Sequence, residues 1–186
     1  MILPHSINMK KTGRLLTDIL AIALLVLADQ LSKLWAVGRL KDNSGIEIIN
    51  GVLKFYYLPY GNTGAAFGIL SGHRILFLCI AVIVITLIIF ALLKIPATRK
   101  YMLLRIMLVF IAAGGVGNMI DRFRLSYVID FIYFYLINFP IFNVADCYVT
   151  VATIVTALLI MFKYKEDDFK ELEAAFKKKE TDPANE

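Results

Sequence analysis

The chain has 186 residues, 59% of them hydrophobic and only 19% charged, with a mean hydropathy of +0.71. A soluble domain of this length has too little interior to hide so much apolar side chain, so composition excludes an ordinary soluble enzyme and indicates a one-domain integral membrane protein. The net charge of +5 invites a nucleic-acid reading, but the basic residues are scattered around apolar runs and form no patch, so no nucleic-acid partner is expected.

In chain order, residues 1–14 form a short basic N-terminus, in which 1–8 carry no signal and Met9 would serve equally well as a start. Four apolar runs follow, over about 15–37, 75–93, 101–120 and 145–164. Each is long enough to cross roughly 30 Å of hydrocarbon as a helix, and none alternates as a barrel strand would. No small-residue cleavage site follows the first run, so it is expected to stay. The expected fold is an all-α membrane protein of four transmembrane helices, with a small outer β-sheet between the first two. That sheet is placed at about 44–60: residues 46–57 are rich in Ile, Val, Phe and Tyr and are interrupted by Asn50-Gly51, a hairpin signal. Residues 165–186 form a charged tail in which Phe169, Leu172 and Phe176 recur at helical spacing. The two cysteines, Cys79 and Cys147, lie in apolar runs and are expected to be small buried hydrophobes.

Thirteen of the 20 Lys and Arg fall at the termini and the connection between the second and third spans. The positive-inside rule therefore places both termini in the cytoplasm. With that topology nearly every unusual polar residue lies at one depth, toward the outer side: Asp29, Gln30 and Lys33, then Asn62, then Asn118, Asp121 and Arg122, then Asp130, Asn143 and Asp146. Ionisable groups at membrane depth normally face one another or a wet cavity. Asp18 lies apart, deeper toward the cytoplasm, and is expected to be interfacial without a role.

Structural readings stand beside functional ones. Asp29 and Lys33 are one helical turn apart and could be a local ion pair. Gly114, Gly115 and Gly117 suit close helix packing. Arg122 shares a helix face with Asn118 and could bind a lipid headgroup, a substrate carbonyl or an acidic side chain. The aromatic residues of 131–142 suit an interfacial belt. Asp130 and Asp146 could each cap a helix or pair with Arg122 or Lys33, and Asn143 or Asp146 could cap the fourth span. Two carboxyls able to share a proton are also the equipment of an aspartic protease. Other chemistries fare worse: Ser32 and Lys33 are adjacent and point apart, Cys147 has only a distant His73, and His5 and His73 form no HExxH. A transporter or proton channel using the same acids is the non-enzymatic alternative, but these groups do not form a path across the bilayer.

Five blocks decide between these readings: Asp29-Gln30-Leu31-Ser32-Lys33; Asn62-Thr63-Gly64-Ala65-Ala66-Phe67-Gly68; Gly114-Gly115-Val116-Gly117-Asn118-Met119-Ile120-Asp121-Arg122; Val128-Ile129-Asp130-Phe131; and Phe142-Asn143-Val144-Ala145-Asp146. In this order and four-span layout the chain resembles the type II, or lipoprotein (prolipoprotein), signal peptidases of bacteria. The resemblance implies an aspartic endopeptidase of the cytoplasmic membrane that cuts before a diacylglyceryl-modified cysteine, with no metal and no organic cofactor. It places the catalytic pair on Asp130 and Asp146. Substrate-binding or supporting roles fall on Asp29, Lys33, Asn62, Gly64, Asn118, Asp121, Arg122, Asn143 and Ala145. The implied partners are diacylglyceryl-modified prolipoproteins, membrane phospholipids and globomycin-type inhibitors, with the site on the extracytoplasmic side of a multi-pass, monomeric protein.

Overall fold

A computed structural model describes residues 5–59, 61–64 and 73–177, and side chains from Gly13 onward. The expectations attached to residues 65–68 of the second block, to Lys10 and Lys11, and to Lys178 and Lys179 lie outside the described side chains. The elements run α1 (His5–Leu40), β1 (Ile46–Ile49), β2 (Leu53–Phe55), α2 (Arg74–Lys94), α3 (Met102–Leu125), β3 (Ile132–Phe134), α4 (Val144–Leu158) and α5 (Glu166–Lys177). The last turn of α4 widens into a π turn over Leu159–Lys163.

Four helical stretches are long and apolar enough to cross a membrane: Gly13–Leu40, Arg74–Lys94, Met102–Leu125 and Val144–Lys163. They alternate in direction. The start of α1, the end of α2 and the start of α3 meet where Arg14 donates to the Ala97 carbonyl and Arg105 pairs with Asp18. The end of α1, the end of α3 and the start of α4 meet at the opposite end, where Lys33 reaches Asp121 and the Ala145 N–H donates to Asp29. Outward-facing aliphatic side chains such as Leu16, Leu24, Ile83 and Val151 cover these helices, as a lipid-facing bundle requires.

The sheet sits at that second end, in the order β1-β2-β3, antiparallel throughout. Gly51 makes the β1–β2 turn with φ 74°, a conformation costly for residues with a Cβ. The third strand was not foreseen. Ile132-Tyr133-Phe134, read as part of an aromatic belt, instead pairs with the open edge of the hairpin, Leu53 opposite Phe134 and Phe55 opposite Ile132. An unpaired strand edge seeks hydrogen-bond partners, and three residues are too few to show a period of their own. One face of the sheet packs on the end of α1: Trp35, Phe55 and Phe131 meet edge to face at 5.4–6.2 Å, over Ala36 and Leu40.

Two further expectations change. Cys79 is exposed and Cys147 half-buried, both as free thiols; α2 turns much of its surface outward, so an apolar run does not make each residue interior. Asp18 is not idle: it pairs with Arg105, which is buried and also donates to the carbonyls of Leu92 (2.7 Å) and Ile95 (3.2 Å). The tail helix α5 docks beside this node, with Leu172 against the cluster of Ile95, Tyr101, Leu104, Leu159 and Tyr164 and with Phe176 on Phe90. Lys100 holds Asp168 and Glu171 of α5.

Candidate active site

Small residues set the spacing on which the site depends. A Cβ on Gly114 would lie 2.5 Å from the Ala145 carbonyl oxygen, and one on Gly117 would lie 2.5 Å from Asp29 Oδ2. Here α3 therefore touches the backbone of α4 and a side chain of α1, the use of small residues usual in membrane helices. Gly115 is different: its nearest neighbours would be Ile85 atoms at 3.6 and 3.7 Å, so added bulk is tolerated.

Around this contact Asp29, Lys33 and Asp121 form a buried triad. Lys33 Nζ lies 2.9 Å from Asp29 Oδ2 and 2.9 Å from Asp121 Oδ2, with the three residues 0–2% exposed. The pair Asp29–Lys33 is thus no exposed local bridge but one arm of a three-helix tie. Each of the four carboxylate oxygens has a partner. Asp29 Oδ1 accepts the Ala145 N–H at 3.0 Å, Asp121 Oδ2 accepts the Ile129 N–H at 3.2 Å, and Gln30 Nε2 reaches Asp29, Asp121 and the Gly117 carbonyl at 3.0–3.2 Å. The sequence places Gln30 in the polar layer but does not show that its amide closes the triad.

The ammonium of Lys33 also donates to Asn118 Oδ1 at 3.0 Å, and Asn118 Nδ2 donates to Asp146 Oδ1 at 2.8 Å. This relay joins the triad to the second group of acids. Asn143 is its hub. It is the N-cap of α4, its Oδ1 accepting the Asp146 N–H at 3.0 Å while Asp146 Oδ2 accepts the Asn143 N–H at 3.1 Å. Such reciprocal bonds form a capping box. The same Asn143 donates through Nδ2 to Asn118 at 3.1 Å and to Asp130 Oδ1 at 2.6 Å. The other oxygen of Asp130 accepts from Asn62 Nδ2 at 2.9 Å. Asp130 and Asp146 are therefore brought to opposite sides of one asparagine. Their capping reading holds for Asn143 and Asp146, yet neither acid has a cation within ion-pair distance among the described residues, because Lys33 is committed to Asp29 and Asp121.

Asp130 sits fully buried in the loop between α3 and α4. Burial first, and the neighbouring Asp146 charge second, push its carboxyl up to about 7, against the opposing hydrogen bonds from Asn62 and Asn143 and the charge of Lys33. A raised carboxyl is one that keeps its proton near neutral pH.

The loop strand that carries Asp130 is held on both sides. Asn62 and Val128 exchange backbone hydrogen bonds of 2.9 Å in each direction, and the Leu58 N–H donates to the Asp130 carbonyl at 3.1 Å. Asn62 Oδ1 accepts the Gly64 N–H at 3.0 Å, and Arg122 donates to the Gly64 carbonyl at 2.9 Å while its guanidinium lies 4.7 Å from the Phe77 ring. Every anticipated residue, from Asp29 and Lys33 through Asn62 and Gly64 to Asn118, Asp121, Arg122, Asp130, Asn143, Ala145 and Asp146, belongs to this single network. Ala145 contributes backbone and smallness, being fully buried against Gly114 and Gly117. Among the described residues no group of three or more His, Cys, Asp or Glu gathers as metal ligands would.

Comparison with known proteins gives a consistent picture. The family model described as signal peptidase (SPase) II matches residues 21–162. The lipoprotein signal peptidase of Clostridium tetani is 39% identical over 157 residues, covering 83% of this chain and 96% of the relative. That of Streptococcus pyogenes serotype M5 is 41% identical over 151 residues, covering 81% and 95%. A bacterial membrane enzyme solved in meso at 2.3 Å superposes with a TM-score of 0.67 at 30% identity, over 81% of this chain and 92% of the other.

Proposed function

The chain belongs to the signal peptidase II family and has the lipoprotein signal peptidase activity of that family, and on this premise we propose that it works as an aspartic endopeptidase with Asp130 and Asp146 as its dyad. The observation that carries the reading is the pair of carboxyls bonded to Asn143, held by amides and with no cation within ion-pair distance among the described residues, with Asp130 raised to about 7. A pair at this site holds one proton between them near neutral pH.

An amide is a poor electrophile and water a poor nucleophile, and a singly protonated dyad addresses both. The ionised carboxyl takes a proton from a water held between the pair as the water oxygen bonds to the scissile carbonyl carbon. The protonated carboxyl hydrogen-bonds the carbonyl oxygen as charge develops there. The tetrahedral intermediate then breaks its C–N bond, and a dyad proton passes to the departing nitrogen. Asn118 and Asn143 orient the dyad, while the Asp29–Lys33–Asp121 triad fixes the helices that carry them. Asn62, Asn118 and Arg122 hold the substrate backbone, Arg122 exchanging its contact with the Gly64 carbonyl for one with substrate.

The substrate is a prolipoprotein cut before its diacylglyceryl-modified cysteine. The lipid stays in the bilayer while the cysteine approaches the dyad sideways from the outer end of the bundle. The protein is a monomer in the cytoplasmic membrane with both termini in the cytoplasm, in contact with phospholipid, and is blocked by globomycin.

The test is cleavage of a lipidated prolipoprotein by the purified protein, with the unlipidated form and globomycin as comparisons. Cleavage of the lipidated form alone, stopped by globomycin and by Asp130→Asn in a protein that still unfolds cooperatively, is expected. Full activity in Asp130→Asn would overturn the assignment of the dyad.

A further inference from the structure

The face of the sheet turned away from α1 has a chemistry that the cleavage reaction does not use. Lys54, on the central strand β2, places its ammonium 5.0 Å from the Tyr56 ring, 5.6 Å from Tyr133 and 5.1 Å from Tyr135. It meets no carboxylate among the described residues. The acid opposite it on β1, Glu47, instead accepts the Tyr135 hydroxyl at 3.0 Å. Across from Lys54 the segment of Asn138, Phe139, Pro140 and Ile141 completes a groove of about 540 Å³, within the size range of ligand sites. Tyr133 donates to Asn138 Oδ1 at 2.6 Å and so ties the two walls together.

The walls of the groove adjoin the site along the chain. One wall follows Asp130 by three residues at Tyr133, and the other precedes Asn143 by two at Ile141, with Ile132 and Phe142 paired between them. Three residues of strand span about 10 Å. A polypeptide leaving the dyad in extended form would enter the groove about three residues later. The signal sequence lies in the membrane, so the chain that reaches a sheet beyond the helix ends is the one that follows the cysteine.

We propose that this groove is a specificity site for the prolipoprotein segment after the modified cysteine, and that Lys54, framed by Tyr56 and Tyr133, selects an acidic side chain at about the third to fifth residue of that segment. The inference rests on the peptidase reading above. Partial desolvation by three aromatic rings strengthens a charge pair formed there relative to one in open water. The Tyr56 hydroxyl and the Asn138 amide offer further donors to a carboxylate.

The experiment uses the full chain in phosphatidylcholine vesicles with synthetic diacylglyceryl-cysteine peptides that carry Asp, Gln or Lys at the third to fifth positions after the cysteine. Wild-type kcat/KM is expected to favour Asp over Lys by about two- to fivefold, the scale of a part-exposed ion pair. Lys54→Gln should flatten that ratio, Lys54→Glu invert it and Lys54→Arg keep it. Each ratio is taken within one variant, so a loss of folded protein cancels. Equal rates for all wild-type peptides, or a preference unchanged in Lys54→Glu, overturn the groove while leaving the peptidase reading intact. Cleavage of none of the peptides counts against the peptidase reading itself. A rate that responds through Lys54 to added phosphatidylglycerol and not to peptide charge would assign the groove to a lipid headgroup and overturn the proposal.

Discussion

At the end of the bundle remote from the sheet, Arg105 meets Asp18 and the carbonyls of Leu92 and Ile95, and Lys100 meets Asp168 and Glu171. At the sheet-bearing end Asp29, Asp121, Asp130 and Asp146 gather around Lys33 and Arg122, and Arg122 spends its donors on the carbonyls of Gly64 and Asn118. The named acids at both ends are hydrogen-bonded, but at the second end only Asp29 and Asp121 have a cation within ion-pair distance among the described residues. Around Asp130 and Asp146, amides stand where cations would be. An amide supplies a hydrogen bond without a charge, so it orients a carboxyl and lowers its proton affinity less than a paired cation would. The comparison teaches that hydrogen-bond satisfaction and charge compensation are separate properties, and that a buried pair of carboxyls can have the one without the other.

Substitutions can break this contrast. Asp130→Asn or Asp146→Asn is expected to lower kcat/KM by about 10²–10⁴-fold, the range for general acid–base groups, while Tm in detergent stays near wild type. A large fall in Tm would instead make these acids structural. Lys33→Met leaves Asp29 and Asp121 buried without a cation, and a loss of about 3–5 kcal/mol is expected in denaturant unfolding. Arg105→Met should cost a similar stability at the other end, yet leave the rate per folded molecule unchanged. A rate lost with Arg105 would couple the two ends.

Smaller changes sharpen it. Gly117→Ala drives a methyl onto Asp29 Oδ2 and should cost about 1–3 kcal/mol, whereas Gly115→Ala should be close to neutral. Lowering pH keeps the proton on Asp130, and raising it through about 7 removes it. The proposed dyad then lacks its acid, so kcat/KM should fall about tenfold for each pH unit well above 7. For stability the sign is the same: a carboxyl raised above its ordinary value stabilises the fold at low pH, and that contribution disappears as pH rises from about 3.8 through 7. Asp130→Asn should flatten this slope in a Tm titration. Lys100→Gln, at an exposed pair, should change Tm least of all.

Local chemistry was legible in the sequence. The spacing of Asn143 and Asp146 announces a cap, that of Asp29 and Lys33 an ion pair on one helix face, and Asn50-Gly51 a hairpin turn. What joins these pieces was not. Lys33 reaches Asn118, 85 positions away, and Arg105 reaches Asp18, 87 positions away. Periodicity reports which face of a helix is apolar but not which helix it meets, so Asp18 looked idle. The strand at Ile132–Phe134 was hidden for a related reason, since it owes its form to the neighbour it pairs with. The family blocks pick out residues that the fold gathers into one network, without showing that Asn143 is their hub.

The cap of α4 has a further consequence. The bonds that start this helix are the same bonds that aim Asp146, so the first turn cannot unravel while the carboxyl stays in place. If the dyad is as proposed, fraying of a single helical turn disarms the enzyme without unfolding it. Amide exchange at Asp146 then becomes a direct gauge of how often the protease is armed.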